Sequence, residues 1–98
     1  MDAGNSLRSL FGRQVVMDTA GPITYLGKLV EARADGFWLE AADLRDKSEG
    51  HVTKESYVWE AREQGVRANR RRIFVFAHVV TSVSALDDVI TEYPVDAV

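Results

Sequence analysis

Few side chains in this sequence have the types and spacing that catalysis or metal binding requires. The two histidines, His51 and His78, lie far apart in the chain and neither stands at metal-ligand spacing from the other. Cysteine is absent, which excludes disulfides and thiolate metal sites. No serine sits in a nucleophile-elbow context and no glycine-rich loop is built to cradle a phosphate, so hydrolase and nucleotide-binding chemistry have no motif to rest on. The expectation is a non-enzyme with no metal and no cofactor. His78, a lone histidine without a catalytic partner in sequence, reads as a lining or satisfied polar residue rather than a general base.

Charge is the stronger signal. Twelve Lys and Arg against fifteen Asp and Glu set the net charge at −3, so the molecule as a whole does not attract phosphate backbones. Its distribution is uneven. Arg62, Arg67, Arg70, Arg71 and Arg72 are opposed locally by Glu63 alone, whereas Asp87, Asp88, Glu92 and Asp96 share the last segment with no base. Guanidinium groups bond phosphates bidentately, so Arg70, Arg71 and Arg72 are candidate phosphate contacts. The same arginines could instead solvate a strand edge or pair with the acidic tail of a neighbouring copy. Trp38 and Trp59 have two readings as well: packing or interface residues, or platforms on which bases stack.

The elements that must position these groups are mostly strands. At 98 residues, 46% hydrophobic and 28% charged, the chain is expected to form one ordered domain over 1–98, with a modest core that benefits from partner subunits. No basic leader opens it and its most apolar stretch, Ile73 to Val80, is too short to span a bilayer, which points to a cytoplasmic protein with no membrane partner. Asn5 can cap a short helix over 5–12 that carries Leu7, Leu10 and Phe11. Alternation then predicts a strand from Gln14 to Thr19, a turn at Ala20-Gly21-Pro22, and a second strand from Ile23 to Arg33 with Gly27 at a bend. Asp35-Gly36 signals a hairpin into a third strand, on which Phe37, Leu39 and Ala41 face one way and Trp38 and Glu40 the other.

Polar residues from Asp43 to Gly50 read as a loop. Thr53 can cap a helix that carries Tyr57, Val58 and Ala61 on one side and stops at Gly65, although Thr53, Tyr57 and Trp59 also alternate as in an extended arm. Two short strands, Arg71 to His78 and Val79 to Leu86, break near Ala77-His78. The fourth strand is apolar on both faces: Ile73, Val75 and Ala77 on one, Phe74 and Phe76 on the other. A small barrel has only one inside, so Phe74 and Phe76, with Val80, are candidates for an interface to a neighbouring subunit or to the inserted helix.

This layout resembles the Sm-like family. Gly12-Arg13-Gln14-Val15-Val16-Met17 followed by Tyr25-Leu26-Gly27-Lys28-Leu29 looks like the first Sm motif, in which a bent second strand carries the glycine. Val75-Phe76-Ala77-His78-Val79-Val80-Thr81-Ser82-Val83 looks like the second motif, closer to the bacterial Hfq version. About two thirds of the chain is covered, leaving 46–69 as an insertion and 87–98 as an acidic tail. The resemblance implies a mainly β fold: a small, strongly bent five-stranded antiparallel barrel with a short N-terminal helix and a helical insertion before the fourth strand. It also implies a homo-oligomeric ring of six or seven subunits joined through the fourth and fifth strands, and single-stranded RNA bound near the pore. His78 falls where the Hfq branch places a pore histidine, while Ala77 stands where that branch has lysine; Ala77 and His78 occupy the positions of the Sm arginine and glycine. Phe37 and Trp38 are nearest to the stacking aromatic. The expected function is an RNA-binding ring, with a ring-shaped module for protein partners as the alternative.

Overall fold

The computed structural model describes residues 6–46 and 53–90. Ser6 and Leu7 are helical and run into a 3-10 turn at Arg8–Leu10, so Leu7 and Leu10 pack against the core from outside the sheet. Asn5, the expected cap, lies outside the described residues. Five strands follow: β1 (Gln14–Thr19), β2 (Ile23–Arg33), β3 (Gly36–Asp46), β4 (Arg70–Phe76) and β5 (Val80–Ala85). They form one antiparallel sheet in the order β4-β3-β2-β1-β5, which leaves β4 and β5 as its two edges. The chain passes between those edges through a 3-10 turn at Ala77–Val79. A connection this short joins opposite ends of the strand order only because the sheet is strongly bent.

The bend is built where β2 and β3 fall out of step. Leu26 pairs with Asp43 and Lys28 with Glu40, so Gly27 alone faces both Ala41 and Ala42. Ala41 takes a φ of +46°, a value L residues rarely adopt, and turns outward to solvent. Ala42 rather than Ala41 therefore fills the inward position expected on this strand. A Cβ on Gly27 would lie 3.0 Å from the Ala42 Cβ and 3.1 Å from the Leu39 Cβ, so the two strands approach this closely only because residue 27 has no side chain. A second offset at Val30 of β2 adds to the curvature.

Two apolar clusters sit on opposite faces of the sheet. Val15, Met17, Leu29, Leu39, Ala42 and Val75 fill the concave side, joined by Tyr25, Phe37, Ile73, Val80 and Val83. On the convex side Val16 and Leu26 meet Tyr57, Val58 and Ala61 of helix α1 (Lys54–Gln64), together with Leu86. The helix starts where Thr53 Oγ1 accepts the Ser56 N–H at 3.0 Å and ends where the Gly65 N–H donates to the Ala61 carbonyl at 2.8 Å. An extended arm at Tyr57 is excluded.

The region from Asp43 to Asp46, expected as loop, is strand. These residues pair with Leu26 to Ile23 and complete the eleven-residue β2, whose backbone groups need partners along their whole length. Polarity of the side chains misled here because Asp43, 8% exposed, is satisfied by a bond from the Tyr57 hydroxyl at 2.7 Å. Strand β4 starts at Arg70 and ends at Phe76, and β5 runs from Val80 to Ala85, each shorter at the shared turn than alternation suggested. Residues 47–52, with His51, and 91–98, with Tyr93-Pro94, Glu92 and Asp96, lie outside the described residues.

Candidate functional site

Two turns meet at one end of the sheet. The Ala77 N–H donates to the Asp35 carbonyl at 2.9 Å, which fastens the β4–β5 turn to the β2–β3 hairpin. His78 is carried on that turn, exposed, with its ring 5.8 Å from that of Phe76. Beside it lies a cleft of about 340 Å³ walled by Pro22, Ile23, Tyr25 and Val79, with Thr19 and Thr81 at its margin. Apolar walls with a few polar groups are what a planar heterocycle requires: area to stack on and donors or acceptors at its edge. One wall is held from afar. Lys54 Nζ, in the first turn of α1, donates to the Thr19 carbonyl at 3.1 Å and to the Gly21 carbonyl at 2.7 Å, so the inserted helix positions the β1–β2 turn.

The opposite end of β4 carries the arginines. Arg70, Arg71 and Arg72, all exposed, border an open groove of about 720 Å³ with Glu40, Ala41 and Asn69. At roughly 3.3 Å per residue of strand, Arg72 to Arg70 stand about 13–20 Å from Phe76, where β4 meets the His78 turn. The structure therefore separates the expected RNA contacts into two sites and does not assemble them into one.

Between these ends an aromatic row runs along the convex face of β4. Trp38 and Phe74, cross-strand partners, meet edge to face at 5.0 Å, and Phe74 meets Phe76 at 5.3 Å. The Phe74 ring lies over Gly36, where a Cβ would come within 2.6 Å of it. Arg72 stacks its guanidinium 4.2 Å above the Trp38 ring, so that side chain is engaged with an aromatic as well as facing the groove. Phe76 remains 55% exposed. Helix α1 covers Val16 and Leu26 of β1 and β2, not this row. Phe37 faces the other way, half-buried against the concave core, and Val80 packs there too.

Pro22, Tyr25, Thr19 and Thr81 were not singled out by sequence as site residues. Their proximity to His78 depends on β1 pairing with β5, and the Gly21-Pro22 turn was the only local sign of that wall. Among the described residues no group of three or more His, Asp or Glu side chains is placed to hold a metal ion, and no helix is long and apolar enough to cross a membrane.

No protein-family model matches this chain, and no curated protein matches it in sequence. Its fold does match solved structures. An Sm protein of Pyrococcus abyssii, solved in complex with a uridine heptamer, superposes with a TM-score of 0.58 over 87% of this chain and 99% of its own, at 10% identity. At that identity the likeness establishes the fold, which is Sm-like, and the bent five-stranded sheet expected from Gly12–Met17, Gly27 and Val75–Val83 is the one observed.

Proposed function

We propose that this protein is an assembling Sm-like module that binds single-stranded RNA at the His78 end of the sheet. The observation that carries the reading is the fold match to an Sm protein holding a uridine heptamer. The chain's own geometry supports it: an exposed imidazole, able to donate or accept toward a base edge, stands over an apolar cleft on a turn pinned by the Ala77–Asp35 bond. Assembly is supported by the two unpaired sheet edges and by the Phe74–Phe76 row, which no element among the described residues covers. A head-to-tail union of β4 with β5 is heterologous and closes into a ring when the rotation permits, with six or seven copies expected from the family layout.

Filter binding of oligo-U and oligo-A at two salt concentrations tests the reading. The wild type should retain oligo-U at low salt, and His78→Ala should weaken that binding with the assembly unchanged in size. Failure of the wild type to bind any single-stranded oligonucleotide at low salt, where phosphate contacts are strongest, would refute it. A protein-interaction module would then be the better reading, favoured by the net charge of −3 and by Ala77 at the position of the Hfq lysine.

A further inference from the structure

The two edges of the sheet, β4 and β5, have complementary chemistry, and the complementarity depends on direction. Edge β4 begins with three exposed arginines, Arg70, Arg71 and Arg72, and ends at the exposed Phe76. Edge β5 begins at the half-buried Val80 and runs directly into the 3-10 turn Leu86–Asp88, where Asp87 and Asp88 are exposed. Every strand pair within the sheet is antiparallel. If β4 of one copy joins β5 of the next in the same sense, the arginine end of β4 lies beside the acidic end of β5, and Phe76 lies beside Val80. Parallel union would instead place the arginines near Val80 and the aspartates near the aromatic end. Charge thus selects one of the two orientations.

The convex side of the β5 edge also borders a groove. About 180 Å³ in volume, it runs between α1 and the sheet, lined by Val16, Val58, Trp59 and Val89 and by the polar Asp18, Lys54, Glu55 and Ser84. In the antiparallel register an added β4 strand would bring Arg72 beside Ser84 at this groove, with Phe74 and Phe76 nearer Val80.

We propose that Arg70, Arg71 and Arg72 are the subunit contact, paired with Asp87 and Asp88 of a second copy, with Phe74 and Phe76 laid along the Val80 half of that copy's β5 edge. The inference rests on the assembly reading above, and it assigns the arginines to the partner copy instead of to RNA. Their position supports this: they lie at the end of β4 away from the His78 turn, about 13–20 Å from Phe76, at the edge where a strand would be added.

Charge reversal with rescue tests the contact, read by size-exclusion chromatography with light scattering at micromolar protein and by circular dichroism for the fold. Arg70→Glu, Arg71→Glu and Arg72→Glu made together, or Asp87→Lys with Asp88→Lys, should each dissociate the assembly, raising the concentration for half-assembly by at least about tenfold. The two sets combined in one chain restore opposite charges across the junction and should restore assembly. Phe76→Ser should weaken assembly with the charges intact. A wild type that assembles and is indifferent to both reversals would overturn the contact while leaving the assembly reading standing. Dissociation that the combined variant does not rescue, in a folded protein, would overturn it too. Loss of oligonucleotide binding by the arginine reversal with the assembly intact would return those residues to RNA. A monomeric wild type would overturn the assembly reading and this contact with it.

Discussion

Tyr57→Phe removes one hydroxyl and nothing else, so it isolates the buried bond between the inserted helix and β3. The hydroxyl donates to Asp43 Oδ2 at 2.7 Å, with Tyr57 6% and Asp43 8% exposed. The ring stays in place among Val16, Leu26 and Ala61, so no cavity opens, and the loss is that of a buried hydrogen bond to a carboxylate. Such bonds contribute about 1.5–3 kcal/mol, and the carboxylate left behind is poorly placed to find water. In a domain of this size 1 kcal/mol moves Tm by about 4–8 °C, so Tyr57→Phe should melt roughly 10 °C lower. Thermal and urea unfolding, followed at fixed protein concentration by circular dichroism and the fluorescence of Trp38 and Trp59, measures it. Alkali supplies a second readout. Burial, reinforced by the bond to Asp43, pushes the Tyr57 phenol above its ordinary value of 10.0. Below that pH both folded and unfolded chains keep the proton and the bond contributes fully; above it the unfolded chain loses its proton first. Stability should therefore fall as the pH rises beyond 10, by up to about 1.4 kcal/mol per pH unit from this group, and Tyr57→Phe should lack that component. A variant within about 0.5 kcal/mol of wild type, with the same alkaline slope, would refute the argument that this bond anchors the helix.

Gly27→Val should cost about 1–3 kcal/mol in urea unfolding, because even its Cβ falls 3.0–3.2 Å from Ala42 and Leu39 and the β3 bulge must shift; an unchanged midpoint would place the bend elsewhere. Lys54→Met keeps the apolar stem and removes two bonds to the Thr19 and Gly21 carbonyls. It should lower stability by about 0.5–1.5 kcal/mol and speed amide exchange in the β1–β2 turn, and unaltered exchange there would show that the turn does not depend on α1.

Local chemistry was enough to read most elements. Thr53 and Gly65 bounded α1 because capping is a contact between residues a few positions apart, and alternation located β1 and β2 because strand faces repeat every second residue. Gly27 announced the bend, and the doubly apolar Ile73–Phe76 run announced an apolar side chain, Phe76, left 55% exposed outside the concave core. Three features depended on tertiary structure. Residues 43–46 read as loop because Asp43 is polar, and only the distant Tyr57 hydroxyl, fourteen positions on, makes its burial favourable. Ala41 left the inward face because β3 carries one extra residue opposite Gly27, which shifts the alternation by one and shows only once β3 is paired with β2. His78 and Arg70–Arg72, close in sequence, ended at opposite ends of β4 because an extended strand separates its residues by roughly 3.3 Å each, while Thr19, Pro22 and Tyr25, more than fifty positions earlier, came to line the cleft at His78 because β1 pairs with β5. Sequence spacing specifies what a residue can do within its own turn or strand; which residues share a site is decided by the register of strands that meet only after the sheet has bent.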